Sequence, residues 1–297
     1  MHSLPPAPVD PTIAALGPGD RLAGVFACVR KDRATGRSGP YLAVDLRDRT
    51  GMLAARVFQD VDRWERAFDR GDVVQVSGTV DRYRDGLVAE LTAVRRVDPD
   101  TVDPARFLPA AYRDLDELDG FLEGIAGEVG DEAYGGLLQA LMADEALRRA
   151  WRQAPCSIGG HHAYLGGLLE HTVAVAALAA EACVHHPGLN RDLLLTAAIV
   201  HDLGRTREFT YGAEFGRTEV GELLGHVELG LRVLAEPARR AGVDELRWGH
   251  LAHCVLTHHG PERAGGRFRS AEAVALHRLN AVDAAVKDAL EHGLGHG

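Results

Sequence analysis

A chain of 297 residues is long enough for two domains, because single cores usually stop growing near this size. Apolar residues make up 46% and charged residues 26%, which excludes a disordered or fibrous chain and fits a globular one. The net charge of −10 excludes a uniformly basic polyanion-binding surface. The charge is uneven, however. Asp20 to Val97 holds 15 basic and 12 acidic residues, and the remainder holds 18 basic and 31 acidic, so any nucleic-acid contact is expected in the first segment. No uninterrupted apolar run reaches the roughly 18 residues of a membrane span, and Met1–Pro18 lacks the pattern of a secretion signal. A cytoplasmic protein without membrane attachment is therefore expected.

Residues 1–19 read as a flexible lead-in. Residues 20–97 read as an all-β domain. Leu22–Arg30 is the first strand, and a charged, Gly-containing loop follows over Lys31–Pro40. Tyr41–Leu46 and Met52–Phe58 flank a turn at Asp48–Gly51. Asp60–Arg70 has helical spacing. Val73–Val80 and Leu87–Val97 complete five strands around a hairpin at Arg84–Gly86. Five strands with a helix between the third and fourth is the order of an OB-fold barrel. Prolines 99, 104 and 109 mark 98–119 as a linker.

Residues 120–292 read as an all-α domain, with helices over Phe121–Val129, Tyr134–Trp151, Leu165–His186, Arg191–Leu203, Glu219–Ala241, Asp244–His258 and Ser270–His292. The chain has 15 histidines, and only His2 precedes position 161, so the chemistry is concentrated in this half. None of Cys28, Cys156, Cys183 and Cys254 forms a C-x-x-C pair. Buried thiols are therefore expected rather than a cysteine zinc site or disulfides.

His201 and Asp202 end an apolar helix just before Gly204. Such a pair is costly to bury unless something compensates it, and a divalent cation does so. His171 and His226 are polar rings in apolar segments. His258 and His259 end another apolar helix, and Asn280 and Asp283 share a face of the last one, with His277 one turn earlier.

The order H…HD…H…HH…D resembles the HD superfamily of metal-dependent phosphohydrolases. The words "HHAYLGGLLEHT", "HDLGR", "LLGH", "THHG" and "LHRLNAVDA", together with "GPYLAVDLRDRTGMLAARVF" in the β domain, resemble the YhaM-type 3′–5′ exoribonucleases over about residues 20 to 290. That family joins an N-terminal OB domain to a C-terminal HD domain. Two positions depart from its pattern. Arg205 stands where the family has Lys, and Asn280 where it has the first of two acids.

The resemblance implies two divalent cations, Mn²⁺ first, with Fe²⁺, Co²⁺ or Mg²⁺ as alternatives. His171, His201, Asp202 and either Asn280 or Asp283 would hold one. His226, His258 and His259, again with Asp202, would hold the other. Arg205 would bind a phosphate oxygen, and His161 and His162 would orient the phosphate or the leaving oxygen. In the OB domain, Phe26, Tyr41, Phe58 and Tyr83 are candidates to stack bases, with Arg30, Lys31, Arg33, Arg37 and Arg56 on the backbone. The implied activity is hydrolysis of single-stranded RNA, or DNA, from the 3′ end by metal-activated water, giving nucleoside 5′-monophosphates. A homo-oligomer is compatible with this. The alternatives are an HD phosphohydrolase of a nucleotide or cyclic dinucleotide, and a nucleic-acid-binding protein with a degenerate HD site.

Overall fold

The computed structural model describes residues 12–36, 39–84 and 86–293. The chain forms two units. One holds the described residues up to Pro109 together with Tyr211–Gly216, and the other holds Ala110–Thr210 and the residues from Arg217 onward.

The first unit contains β1 (Arg21–Gly36), β2 (Gly39–Asp48), β3 (Gly51–Val57), a short helix α1 (Val61–Glu65), β4 (Val73–Tyr83) and β5 (Gly86–Val97). The strands close into a barrel in the order β1-β2-β3-β5-β4, with β4 pairing back onto β1. Only the β3–β5 pairing is parallel. Alternation puts Leu42, Val44 and Leu46 of β2 and Leu53, Ala55 and Val57 of β3 in the core. Gly78 faces a bulge in β5, where Thr92 is passed over between the pairs Ser77↔Ala93 and Gly78↔Leu91, and a Cβ on Gly78 would lie 2.2 Å from the Glu90 carbonyl oxygen.

Two expectations are corrected here. Within the expected loop, Lys31–Gly36 and Gly39–Pro40 are strand. β1 and β2 continue as a ribbon through the pairs Lys31↔Val44 to Gly36↔Gly39. This stretch is largely exposed, so its strand character lacks the apolar face that alternation depends on. The helix expected over Asp60–Arg70 is only Val61–Glu65, and Phe68 reaches the barrel core from the turn that follows.

The second unit is helical: α2 (Leu115–Gly127), α3 (Glu132–Ala143), α4 (Glu145–Gln153), α5 (Gly167–His185), α6 (Arg191–Val200), α7 (Arg205–Glu208), α8 (Glu219–Arg240), α9 (Glu245–Thr257) and α10 (Ala271–His292). Between α7 and α8 in the chain comes a two-stranded ribbon, β6 (Phe209–Tyr211) and β7 (Phe215–Arg217), whose Tyr211–Gly216 segment belongs to the first unit. Side chains of Asp114, Asp131, Asp144, Asn190, Thr218, Asp244 and Ser270 cap helix N-termini by accepting main-chain N–H bonds. Asp144 explains why Tyr134–Trp151 is two helices. It ends α3 in an extended conformation and caps α4.

α5 packs against α2, α6 and α10, and every residue of α6 from Leu193 to Val200 is buried. Among the described residues α5 is the one helix long and apolar enough to cross a membrane. Here it is the central helix of the bundle.

Candidate metal centre and nucleic-acid face

Asp202 is the hub of the helical domain's site. It follows α6 and is 1% exposed. His226 Nε2 lies 3.2 Å and His258 Nε2 3.3 Å from its Oδ1. His171 Nε2 and His201 Nε2 each lie 3.8 Å from its Oδ2 and 3.1 Å from each other. His259 joins through its Nε2, 3.0 Å from that of His226. Two groups of donor atoms result, each within 4.8 Å: His171, His201 and Asp202, and Asp202, His226, His258 and His259.

Each of four imidazoles is held by its other nitrogen. His201 Nδ1 donates to the Ala198 carbonyl at 2.8 Å and His258 Nδ1 to the Val255 carbonyl at 2.6 Å. These are i−3 bonds that a histidine at a helix end makes to its own last turn. His171 Nδ1 meets Asp283 Oδ2 at 2.6 Å, and His226 Nδ1 lies 3.4 Å from Glu208 Oε2. The four Nε2 atoms therefore face Asp202. This is the outer support that metal-ligating histidines carry.

The main chain fixes how the groups approach one another. A Cβ on Gly204 would lie 1.9 Å from the His226 carbonyl oxygen and 2.4 Å from the Gly230 nitrogen, so only glycine lets α7 meet α8 here. α8 kinks at Gly225, whose φ of 70° and ψ of 164° are non-helical. The kink lies immediately before His226.

The electrostatics favour neutral rings at His201, His226 and His259 beside an ionised carboxylate. Burial pushes His201 well below its ordinary value, lowers His226, and brings His259 down to about 3. Burial opposes the charge on Asp202, yet Arg205 together with His226, His201 and His258 holds the carboxyl well below the usual range. Asp202 Oδ1 and His258 Nε2 are buried with no hydrogen-bond partner. Unsatisfied buried acceptors are costly, and a divalent cation removes that cost. The donor set of neutral imidazoles and carboxylate suits one. These residues therefore fit a metal.

Other site residues sit differently from expectation. Arg205 is 8% exposed, donates from Nε to Asp202 Oδ2 at 2.7 Å, and lies near Glu208. It is committed to carboxylates rather than turned to an open phosphate site. His162 is 2% exposed and bonded to Tyr164 OH at 2.8 Å and Asp283 Oδ2 at 3.0 Å. It supports Asp283 instead of facing substrate. His161 is half-buried, and burial lowers it to about 4. Asn280 is 5% exposed, and its amide nitrogen donates to the His258 carbonyl at 3.4 Å. His277 Nδ1 bonds the same carbonyl at 2.9 Å. Glu208, 2% exposed with its Oε2 beside His226 Nδ1 and Arg205, was not anticipated. Its signal in the sequence is an acid three residues after Arg205, closing a four-residue helix turn.

The barrel divides the nucleic-acid candidates. Tyr41 and Phe58 rings stand 5.5 Å apart, and the Arg56 guanidinium lies 4.3 Å from the Tyr83 ring centroid and 5.8 Å from that of Tyr41. Phe58 and Tyr83 are exposed. These four form one aromatic and cationic face. Phe26 is 1% exposed in the barrel core and is corrected to a packing residue. Lys31 is also corrected. Its Nζ donates to the Glu65 and Phe68 carbonyls and pairs with Asp69 at 2.9 Å. Arg30 pairs with Asp32 and Asp45, and Arg33 with Asp62 and Glu65. Arg37 lies outside the described residues.

The HD domain family matches residues 168–291, and an OB-fold nucleic acid binding domain family matches residues 25–95. The chain is 28% identical over 256 residues to the protein named 3′-5′ exoribonuclease YhaM of Shouchella clausii, across 84% of this chain and 78% of the relative. It is 26% identical over 270 residues to the protein of that name in Oceanobacillus iheyensis, across 90% of this chain and 84% of the relative. For the Listeria innocua protein the figures are 26% over 250 residues, 83% and 79%. The chain therefore carries an OB-fold nucleic acid binding domain and an HD domain, and along most of its length it is a relative of the proteins named 3′-5′ exoribonuclease YhaM.

Proposed function

We propose that this enzyme is a metal-dependent 3′–5′ exonuclease that degrades single-stranded RNA, and single-stranded DNA as well, to nucleoside 5′-monophosphates in the cytoplasm. The observation that carries the reading is the set of four pinned histidines around Asp202, with Asp202 Oδ1 and His258 Nε2 buried and unpartnered.

His171, His201 and Asp202 would hold one divalent cation, and Asp202, His226, His258 and His259 the other, with Mn²⁺ suited to the second pocket's nitrogen and oxygen donors. When bound, such cations polarise phosphoryl oxygens and lower the pKa of water. The protein's own work is to prepare the donors. Arg205 and the surrounding histidines keep Asp202 ionised, burial disfavours protonation of His201 and His226, and the Nδ1 contacts aim the Nε2 atoms of His171, His201, His226 and His258 inward. His259 is the exposed member of the second group, so the phosphodiester is read as arriving on its side. Hydrolysis then breaks the P–O3′ bond, leaving phosphate on the released nucleoside and a free 3′ hydroxyl on the shortened strand. The Tyr41, Arg56, Phe58 and Tyr83 face supplies stacking for a single strand, which needs no particular sequence because every base has a π face.

The test is digestion of a 5′-labelled RNA. The expected result is a descending ladder with 5′-monophosphates accumulating, slowed by a 3′-phosphate. Cleavage of a circular strand at the same rate overturns the exonuclease reading.

A further inference from the structure

Cys156 lies between α4 and α5 and is 0% exposed. Its Sγ is 3.5 Å from His161 Nε2 and donates to Asp202 Oδ2 at 3.7 Å. Cys156, His161 and His171 each offer a donor atom within 4.8 Å of the others. His171 also belongs to the His171, His201 and Asp202 group. The thiol therefore adjoins the first pocket, while the second has only nitrogen and oxygen donors.

We propose that Cys156 and His161 extend the first pocket into a thiolate-containing site that favours a soft divalent cation such as Zn²⁺ over Mn²⁺. The inference rests on the metal-centre reading above. Three features support it. His161 sits on the turn before α5 with a half-buried ring whose Nε2 lies 3.5 Å from the sulfur. Ser157 fixes that turn, donating to the His161 carbonyl at 2.9 Å and accepting from Gly160 N–H at 2.9 Å. Thiolate is the softest donor in the protein's repertoire and selects Zn²⁺ over hard cations. Binding would replace the S–H bond by a sulfur–cation bond and release that proton to solvent. The other three cysteines, Cys28, Cys183 and Cys254, belong to no such donor group among the described residues, so a thiolate signal would identify Cys156. The two pockets would then differ in softness, which separates the metals they retain.

Co²⁺ is the probe, added to the full-length metal-free protein. Visible d–d absorption reports that cobalt is bound, and a near-ultraviolet sulfur-to-cobalt charge-transfer band reports thiolate ligation. The expected result is both bands in the parent, and loss of only the charge-transfer band in Cys156→Ser and in Cys156→Ala. Zn²⁺ affinity should fall by about tenfold or more in both variants, with Mn²⁺ affinity changed much less. Visible bands without charge transfer in the parent, or a charge-transfer band that survives in both variants, overturns the proposal while leaving the metal centre standing. Absence of any cobalt spectrum overturns the metal-centre reading and this proposal with it.

Discussion

Oδ2 of Asp283 lies 2.6 Å from Nδ1 of His171 and 3.0 Å from Nε2 of His162, so a single carboxylate oxygen on α10 orients one buried donor while being held by a second histidine. Burial opposes its charge, but the two imidazole contacts hold Asp283 well below the usual carboxylate range.

Asp283→Asn should weaken divalent-metal binding by about 10- to 100-fold, the usual effect of losing a partner behind a ligating histidine. Asn280→Asp should not tighten binding, because the native amide donates to the His258 carbonyl and a carboxylate cannot. Calorimetric titration of both variants with Mn²⁺ decides between them. Tighter binding by Asn280→Asp with no effect of Asp283→Asn would reverse the roles given to the two residues.

His201→Ala and Asp202→Asn should each remove bound metal, measured by elemental analysis after dialysis. Asp202→Ala should also lose about 3–5 kcal/mol of stability, because Arg205 would keep a buried charge without its partner. In the parent, adding metal should raise Tm and chelation should lower it, since ligand binding stabilises the native state by mass action. A parent Tm indifferent to metal counts against the site.

On the barrel, Phe58→Ala and Tyr83→Ala should each weaken single-strand binding by about 1–3 kcal/mol and leave hydrolysis of bis-p-nitrophenyl phosphate unchanged. Phe26→Ala should instead destabilise the barrel by about 3–5 kcal/mol, as for any buried Phe. Fluorescence anisotropy with labelled RNA, paired with thermal melts, separates the two behaviours. Equal loss of binding by all three, with unchanged melting, contradicts the assignment of Phe26 to the core.

Asp131 gives a pH prediction away from the metal. It caps α3 by accepting from Ala133 and Tyr134 N–H and takes a bond from Arg247 Nε at 3.0 Å. Burial opposes its charge, yet these bonds lower its pKa from 3.8. The folded value lies below the unfolded one. The contribution is therefore complete at neutral pH and fades as pH falls below 3.8 through the folded value. Asp131→Ala should cost about 1 kcal/mol at neutral pH from the cap alone. The gap to the parent should narrow in acid, as read from denaturant melts across pH.

The barrel, the helical half and the histidine order were legible because each leaves a local trace. Strand alternation in β2 and β3 and isolated imidazoles in apolar α5 and α8 are visible along the chain. What was not legible depends on long-range contacts. Lys31 has the appearance of a phosphate ligand until the Glu65 and Phe68 carbonyls are brought to it. Arg205 is likewise a free cation in the sequence and a buried partner of Asp202 in the fold. Cys156 carries no motif of its own. Its neighbours His161 and Asp202 are 5 and 46 positions away, and only the packing of the turn before α5 against the end of α6 joins them.

The contact made by Gly204 has a consequence for how the protein tolerates change. Its α-carbon sits against the backbone beside His226, so the gauge between the two pockets is set by peptide against peptide. Side chains elsewhere in the bundle can then exchange volume without altering that gauge, much as the walls of a building can be refitted around a fixed pair of columns. Even a methyl group at position 204 would move the columns. Gly204→Ala is therefore expected to disturb the relation between the pockets more than a larger loss of volume at a peripheral core position such as Leu147.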